Sequence, residues 1–327
     1  MSYLLRPLDK CKLTLHNRLV MPPMATSKSE QDGKISKDIL DYYDEKSQGG
    51  HISLIIIEHS FISKQGKASE RQLSIADDNV VEGLKKLANI IQKNGSKAVM
   101  QMNHAGSAAS KNVTGYEPVG PSAIANPRKG EVPKELSVKE IKEIIKNFRD
   151  AALRVKEAGF DGVEIHSAHG YLLNQFFSPL TNKRTDKYGG KLLDRIKIHL
   201  EIIKAVRDAV GDDFPILLRL GASDYMEGGI TIEDSKIAAL EFEKAGIDIL
   251  DVSGGFCGYS GTGQGYFAPL TEAIKEVVSV PVILTGGITD ANTAESLLST
   301  GKADLIGVGR AIYKDSSWAE KAIESLK

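Results

Sequence analysis

Eight short apolar runs, each followed by a stretch of helical periodicity, constrain this chain more than any other feature. The runs are Leu19–Met21, Leu54–Glu58, Ala98–Met102, Gly162–His166, Ile216–Leu220, Ile249–Ser253, Val282–Thr285 and Leu305–Val308. Most are continuously apolar, the pattern of strands covered on both faces. The helical stretches are Ser36–Ser47, Val80–Lys93, Ser137–Ala158, Leu192–Val210, Ile232–Lys244, Leu270–Val278, Asp290–Ser299 and Ser316–Ser325. Ser137 with Glu140 is a capping-box pattern, and Gly159 and Gly246 follow helices as C-terminal stops. Eightfold β-then-α alternation over 327 residues predicts an α/β fold, a (β/α)8 TIM barrel, as a single domain over 1–327. A doubly wound sheet is the alternative, but no G-x-G-x-x-G opens a helix after an early strand. The longest irregular stretch, Ala105–Val132, reads as an active-site loop after the third strand.

Composition narrows the partners. The net charge is −1, which gives no electrostatic case for nucleic acid or an anionic membrane. No apolar run approaches 18 residues and the N-terminus lacks a signal pattern, so a cytoplasmic protein is expected. Two cysteines, Cys11 and Cys257, cannot make a disulfide framework and have no metal motif around them. A homo-oligomer stays open.

In a TIM barrel the chemistry gathers at the C-terminal ends of the strands. Strand four ends at His166, with His169 and Tyr171 immediately after, so two imidazoles and a phenol project from one strand end. Neutral imidazoles are good donors to a developing enolate oxygen, and a phenol with a reference pKa of about 10 stays protonated at neutral pH. Such a set can bind a carbonyl oxygen and deliver a proton beside it. A metal reading of His166 and His169 finds no third ligand except Glu164, which shares the His166 face. Tyr171 taken singly could equally be a packing aromatic.

The last two strands run into Thr285-Gly286-Gly287 and Gly307-Val308-Gly309-Arg310, each before a helix. Glycines let backbone N–H groups approach an anion, Arg310 adds charge, and the loops after strands seven and eight are the usual phosphate site of this fold. Arg219 lies inside the apolar run of strand five, so its partner is either a ligand or a carboxylate such as Glu164. Gln101, an amide inside strand three, either meets a ligand that offers both donors and acceptors or caps barrel polarity.

The segment Val163–Arg195, with its N-x-R-T-D-x-Y-G-G pattern, resembles the old yellow enzyme family of FMN-dependent ene-reductases. Asn17–Met24, Asp41-Tyr42-Tyr43, Gln101 with His104-Ala105-Gly106, and the Gly309-Arg310 turn extend the resemblance over nearly the whole chain. It implies FMN bound non-covalently, NADH or NADPH as electron donor, and a small α,β-unsaturated carbonyl substrate whose β-carbon takes the hydride. It also implies that His166 and His169 hold the carbonyl oxygen and Tyr171 protonates the α-carbon. Pro23, Met24, Ala25, Gln101, Arg219 and Ser253 would line the flavin, and Gly287, Gly309 and Arg310 its phosphate. No metal is implied.

Departures touch substrate preference. Ala25 stands where many members carry Cys or Thr, Ser107 replaces a common Arg, and Asn103 and His59 are unusual at their places. His59, just past strand two, is expected at the flavin's edge. Larger members append an iron–sulfur and a second flavin domain, for which this sequence has no cysteine cluster. Alternative readings are an amine dehydrogenase or demethylase-like enzyme, a dienoyl-thioester reductase relative, or a non-catalytic flavin-binding protein.

Overall fold

The structure, a computed structural model, describes residues 2–10, 12–127, 130–258 and 261–327; Cys11 lies outside them. Eight parallel strands close into a barrel: β1 (Leu19–Met21), β2 (Leu54–Phe61), β3 (Lys97–Asn103), β4 (Gly162–Ser167), β5 (Ile216–Gly221), β6 (Ile249–Ser253), β7 (Val282–Thr285) and β8 (Leu305–Gly307). Each strand pairs with the next in chain order, and β8 returns to β1 with Gly307 opposite Val20. All eight expected strands form.

Alternation along each strand sorts the side chains into two cores. Val20, Leu54, Ile56, Val99, Leu217, Ile249, Ile283 and Leu305 form the inner cluster. Met21, Ile55, Ile57, Met100, Ile165, Leu218, Val252 and Leu284 pack outward with the helices. A hairpin of Leu8–Lys10 with Leu13–Leu15 adds Leu8, Leu13 and Leu15 to the inner cluster. It closes the N-terminal mouth and leaves the C-terminal mouth for chemistry. Three-residue strands carry too little periodicity for this plug to be read in advance.

The helices follow their capping chemistry. Val138–Glu157 starts at the Ser137 capping box, with Ser137 N–H donating to Glu140 at 2.8 Å. It buries Ile141, Ile144, Ile145 and Phe148, each worth about 1.5–3 kcal/mol of transfer free energy. Gly159 ends it at φ +81, with nothing within 4 Å of an added Cβ, so only the backbone demands glycine there. The expected helix Leu192–Val210 is two: Leu192–Arg195 and Lys197–Val210, broken at Ile196 (φ −87, ψ −1). Arg195 pins the first piece by donating to Phe177 O (2.8 Å) and Gly190 O (2.9 Å). Leu172–Phe177 forms an additional helix whose six residues are all buried; uniform burial erases the 3.6-residue period that would have revealed it.

The loop expected over Ala105–Val132 carries more order than its composition suggested. Lys111–Thr114 is helical, and Val119–Gly120 pairs in parallel with Lys134–Glu135. The N-x-R-T-D-x-Y-G-G pattern ties this region to the segment after β4. Arg184 donates to Pro121 O (2.8 Å) and Leu136 O (2.6 Å) and pairs with Asp186. Asn182 donates to Phe176 O and Tyr188 O, and a Cβ on Gly189 would come within 2.4 Å of Arg184 O. The motif is a brace, and its side chains work in holding loops together.

Candidate active site

A cavity of about 340 Å³ opens at the C-terminal mouth beside β7, β8 and β1. Pro22, Pro23, Met24, Arg219, Gly287, Gly309 and Arg310 line it. Two glycines shape it for different reasons. Gly287 has φ +69, and a Cβ there would lie 2.5 Å from Gly263 O. A Cβ on Gly309 would lie 2.9 Å from Met24 Sδ and 3.3 Å from Pro22 Cγ. Arg219, Arg310 and Lys314 contribute three cations, and no acid is among the described lining residues. Arg310 also reaches Tyr266 Oη at 3.3 Å. Glycine backbone at two loop ends, cations beside them and a third cation deeper in the barrel suit the phosphate tail and ring of FMN. The donor set therefore fits this cofactor.

Below the mouth, the barrel interior turns polar. Register places Asp251 beside Arg219, and Arg219 Nη1 lies 3.2 Å from Asp251 Oδ2, with both side chains buried. Gln101 Nε2 donates to Glu164 Oε2 at 2.6 Å. Among the described residues, Glu164 Oε1 and Arg219 Nε have no hydrogen-bond partner. One guanidinium thus faces two buried carboxyl groups. Burial, then the negative charge of Asp251, holds Glu164 well above the ordinary carboxylate range; burial also raises Asp251 against the pull of Arg219. The carboxylate partner of Arg219 is Asp251, where the sequence had suggested Glu164.

Across the mouth, β4 and β6 assemble the imidazole pair. His166 Nδ1 accepts from Ala168 N–H at 3.3 Å, which leaves the ring proton on Nε2. His166 Nε2 lies 3.3 Å from His169 Nδ1, and His169 Nε2 lies 2.8 Å from Ser253 Oγ. His169 adopts φ +61, a left-handed conformation uncommon for a residue with a side chain, and this turn directs its ring back over the strand end. Burial, with help from His169, Arg219 and His59, keeps His166 well below the usual imidazole value, so it is neutral. Tyr171 meets His166 edge-on, ring centroids 5.2 Å apart.

The site residues read from sequence thus fall into two groups. Pro23, Met24, Arg219, Gly287, Gly309 and Arg310 line the cavity. Ser253, expected against the flavin, is in contact with His169 Nε2, and Gln101 has its amide nitrogen on Glu164. Ala25 is exposed beyond Met24 and is not among the lining residues. Asp251, Tyr266 and Lys314 were overlooked. Asp251 had a signal, since it is an acid inside an apolar strand at the same parity as Ser253. Lys314, four residues after Arg310, shares a helix face with it. His59 stacks on Tyr171. Among the described residues no three His, Cys, Asp or Glu gather to hold a metal, and no helix is long and apolar enough to cross a membrane.

Known proteins share this architecture. Residues 3–327 match the model of the NADH:flavin oxidoreductase / NADH oxidase family. An NADH oxidase of Thermoanaerobacter brockii is 43% identical over 321 residues, covering 95% of this chain and 49% of that protein. The structure of 2-naphthoyl-CoA reductase with 2-naphthoyl-CoA superposes with a TM-score of 0.95 at 28% identity, over 99% of this chain and 52% of the other. An old yellow enzyme homologue from Zymomonas mobilis gives 0.86 at 26% identity, over 99% of this chain and 93% of its own. The chain spans about half the length of the first two proteins. It belongs to the NADH:flavin oxidoreductase / NADH oxidase family, that of the old yellow enzymes.

Proposed function

We propose that residues 1–327 act as one FMN-binding barrel domain that reduces the activated carbon–carbon double bond of a small α,β-unsaturated carbonyl compound, with NADH or NADPH as electron donor. Arg219, Gly287, Gly309 and Arg310 would hold FMN, which when bound would supply the hydride taken up at the substrate β-carbon. The observation that carries the reading is the pair of facing imidazole nitrogens, His166 Nε2 and His169 Nδ1, 3.3 Å apart with Tyr171 beside them. In the free site His166 Nε2–H donates to His169 Nδ1; when a carbonyl oxygen takes over that contact and the Ser253 hydroxyl donates to His169 Nε2, the His169 proton sits on Nδ1 and both rings offer an N–H to the same oxygen. A carbonyl oxygen there accepts two hydrogen bonds that strengthen as enolate charge develops, each worth about 1.5–3 kcal/mol. Tyr171 protonates the α-carbon. A cytoplasmic location follows from the need for a nicotinamide nucleotide pool.

A second acceptor class is favoured by one comparison. The superposition on 2-naphthoyl-CoA reductase suggests an unsaturated thioester, whose carbonyl the same imidazoles would hold. The test is rapid mixing of the reduced protein with a panel of enones, enoates, enoyl thioesters and imines. Flavin reoxidation by enones or thioesters is expected, and Tyr171→Phe should slow it by ~10²–10⁴, the range for a positioned general acid. Reoxidation by amine-derived acceptors alone would refute the carbonyl reading.

A further inference from the structure

The Tyr171 ring stacks on His59, with centroids 5.5 Å apart and planes 21° from parallel. The Tyr171 hydroxyl lies 3.3 Å from His59 Nε2, a contact between residues 112 positions apart. His59 is held by a stiff strand end. Its own carbonyl accepts from Gln72 Nε2 at 2.9 Å, and its neighbour Glu58 accepts from Thr26 N–H and hydroxyl. On the other side the His166 ring meets Tyr171 at 88°. The phenol is therefore set between two imidazoles delivered by β2 and β4.

We propose that His59 is a positioning residue for Tyr171: its Nε2–H donates to the phenol oxygen, turns the hydroxyl hydrogen toward the substrate, and stabilises the tyrosinate left when that proton is given up. This rests on the reading of Tyr171 as the proton donor. In the step, the Tyr171 O–H bond breaks and a C–H bond forms at the α-carbon of the enolate. The electron pair of the broken bond stays on the phenol oxygen, and solvent water later returns a proton to it. His59 keeps its own proton throughout, because a neutral imidazole is far too weak an acid to lose it. Enclosure of the ring pushes the His59 imidazole down to about 4, so at neutral pH it carries one N–H. The opposite tautomer, with a bare Nε2, would draw the hydroxyl hydrogen toward His59 and withhold it from the substrate. The stacked geometry keeps Nε2 and the phenol oxygen at the same edge of the two rings.

Two measurements on the FMN-loaded protein test this. The first is rapid mixing of His59→Ala, His59→Gln and Tyr171→Phe in both half-reactions. His59→Ala should slow reoxidation by an enone about 10- to 100-fold more than it slows reduction by NADPH, the scale of one hydrogen bond to a developing charge. His59→Gln, whose amide still donates, should restore part of that loss. In the Tyr171→Phe background His59→Ala should add nothing further. The second is a ¹⁵N spectrum of histidine-labelled protein, in which the signal lost on His59→Ala should be that of a neutral ring protonated at Nε2. If Tyr171→Phe slows reoxidation but His59→Ala does not, or slows both half-reactions equally, the His59 assignment falls while Tyr171 stands. A His59 ring protonated at Nδ1 alone also overturns it. If Tyr171→Phe itself leaves enone reoxidation unslowed, the Tyr171 reading falls and the role of His59 falls with it.

Discussion

Glu58 offers a direct test of how burial acts at the end of β2. Its side chain is 3% exposed, and among the described residues it bonds through Thr26, whose N–H donates at 2.5 Å and hydroxyl at 2.8 Å. Burial dominates those two bonds and pushes the carboxyl up to about 7, from an ordinary 4.5. The sign follows from linkage. The folded state binds this proton more tightly than the unfolded chain, so the contribution is complete below pH 4.5 and is lost as pH rises through about 7. At about 1.4 kcal/mol per tenfold, the total is about 3 kcal/mol, of which ~2.5 falls between about pH 5 and about pH 8. Glu58→Gln removes the titration and nearly preserves the shape. The variant should therefore gain on the native protein by ~2.5 kcal/mol as pH is raised across that interval. The assay is urea denaturation of both proteins at the two pH values with the same saturating FMN, so that the pH dependence of flavin binding cancels. A stability difference that does not change with pH would refute the reasoning, as would a variant that loses ground at high pH.

Three further outcomes follow from the geometry. Arg310→Ala should weaken FMN binding by about 10- to 100-fold, the loss of a charge-assisted contact, read by fluorescence titration of the flavin-stripped protein; unchanged affinity would remove Arg310 from the phosphate site. Phenols should bind the oxidised holoprotein as enolate mimics and give a long-wavelength charge-transfer band, and His166→Ala or His169→Ala should weaken it; equal phenol affinity in the double variant would refute their oxygen-binding role. Arg219→Leu should cost about 3–5 kcal/mol by stranding buried Asp251, whereas Asp251→Asn, which leaves one cation facing one acid, should cost less than about 2 kcal/mol. Chemical denaturation decides the order, and the reverse order would mean that Asp251 is not the group that Arg219 neutralises.

Local pattern carried far in this chain. Strands β6 and β7 begin and end where their predominantly apolar runs do, because most positions of a parallel strand buried on both faces must be apolar. The capping box at Ser137 and the stop at Gly159 are likewise local chemistry, complete within a few residues. His166, His169 and Tyr171 share one strand end, so their grouping was visible without a fold. That Gly287, Gly309 and Arg310 line one cavity needed only the rule that the loops after the last two strands of such a barrel come together at its C-terminal mouth.

What remained hidden depended on which strands became neighbours, and in which register. Asp251 pairs with Arg219 because β5 and β6 align them side by side; by strand parity alone, Glu164 was an equal candidate. The contact of Ser253 with His169 could not be read in advance, because it depends on β6 lying one strand away from β4 in the closed barrel. His59 was noticed as unusual, but its place against Tyr171 exists only once β2 and β4 curve around the same opening. The hairpin plug and the Arg184 brace escaped for the same reason, since their value lies in contacts made far along the chain. Sequence alone determined the element types and the residues able to do chemistry, because periodicity and backbone propensity act over a few residues. The partners that set their charge, tautomer and orientation came from barrel closure, because electrostatics and hydrogen bonds act through space.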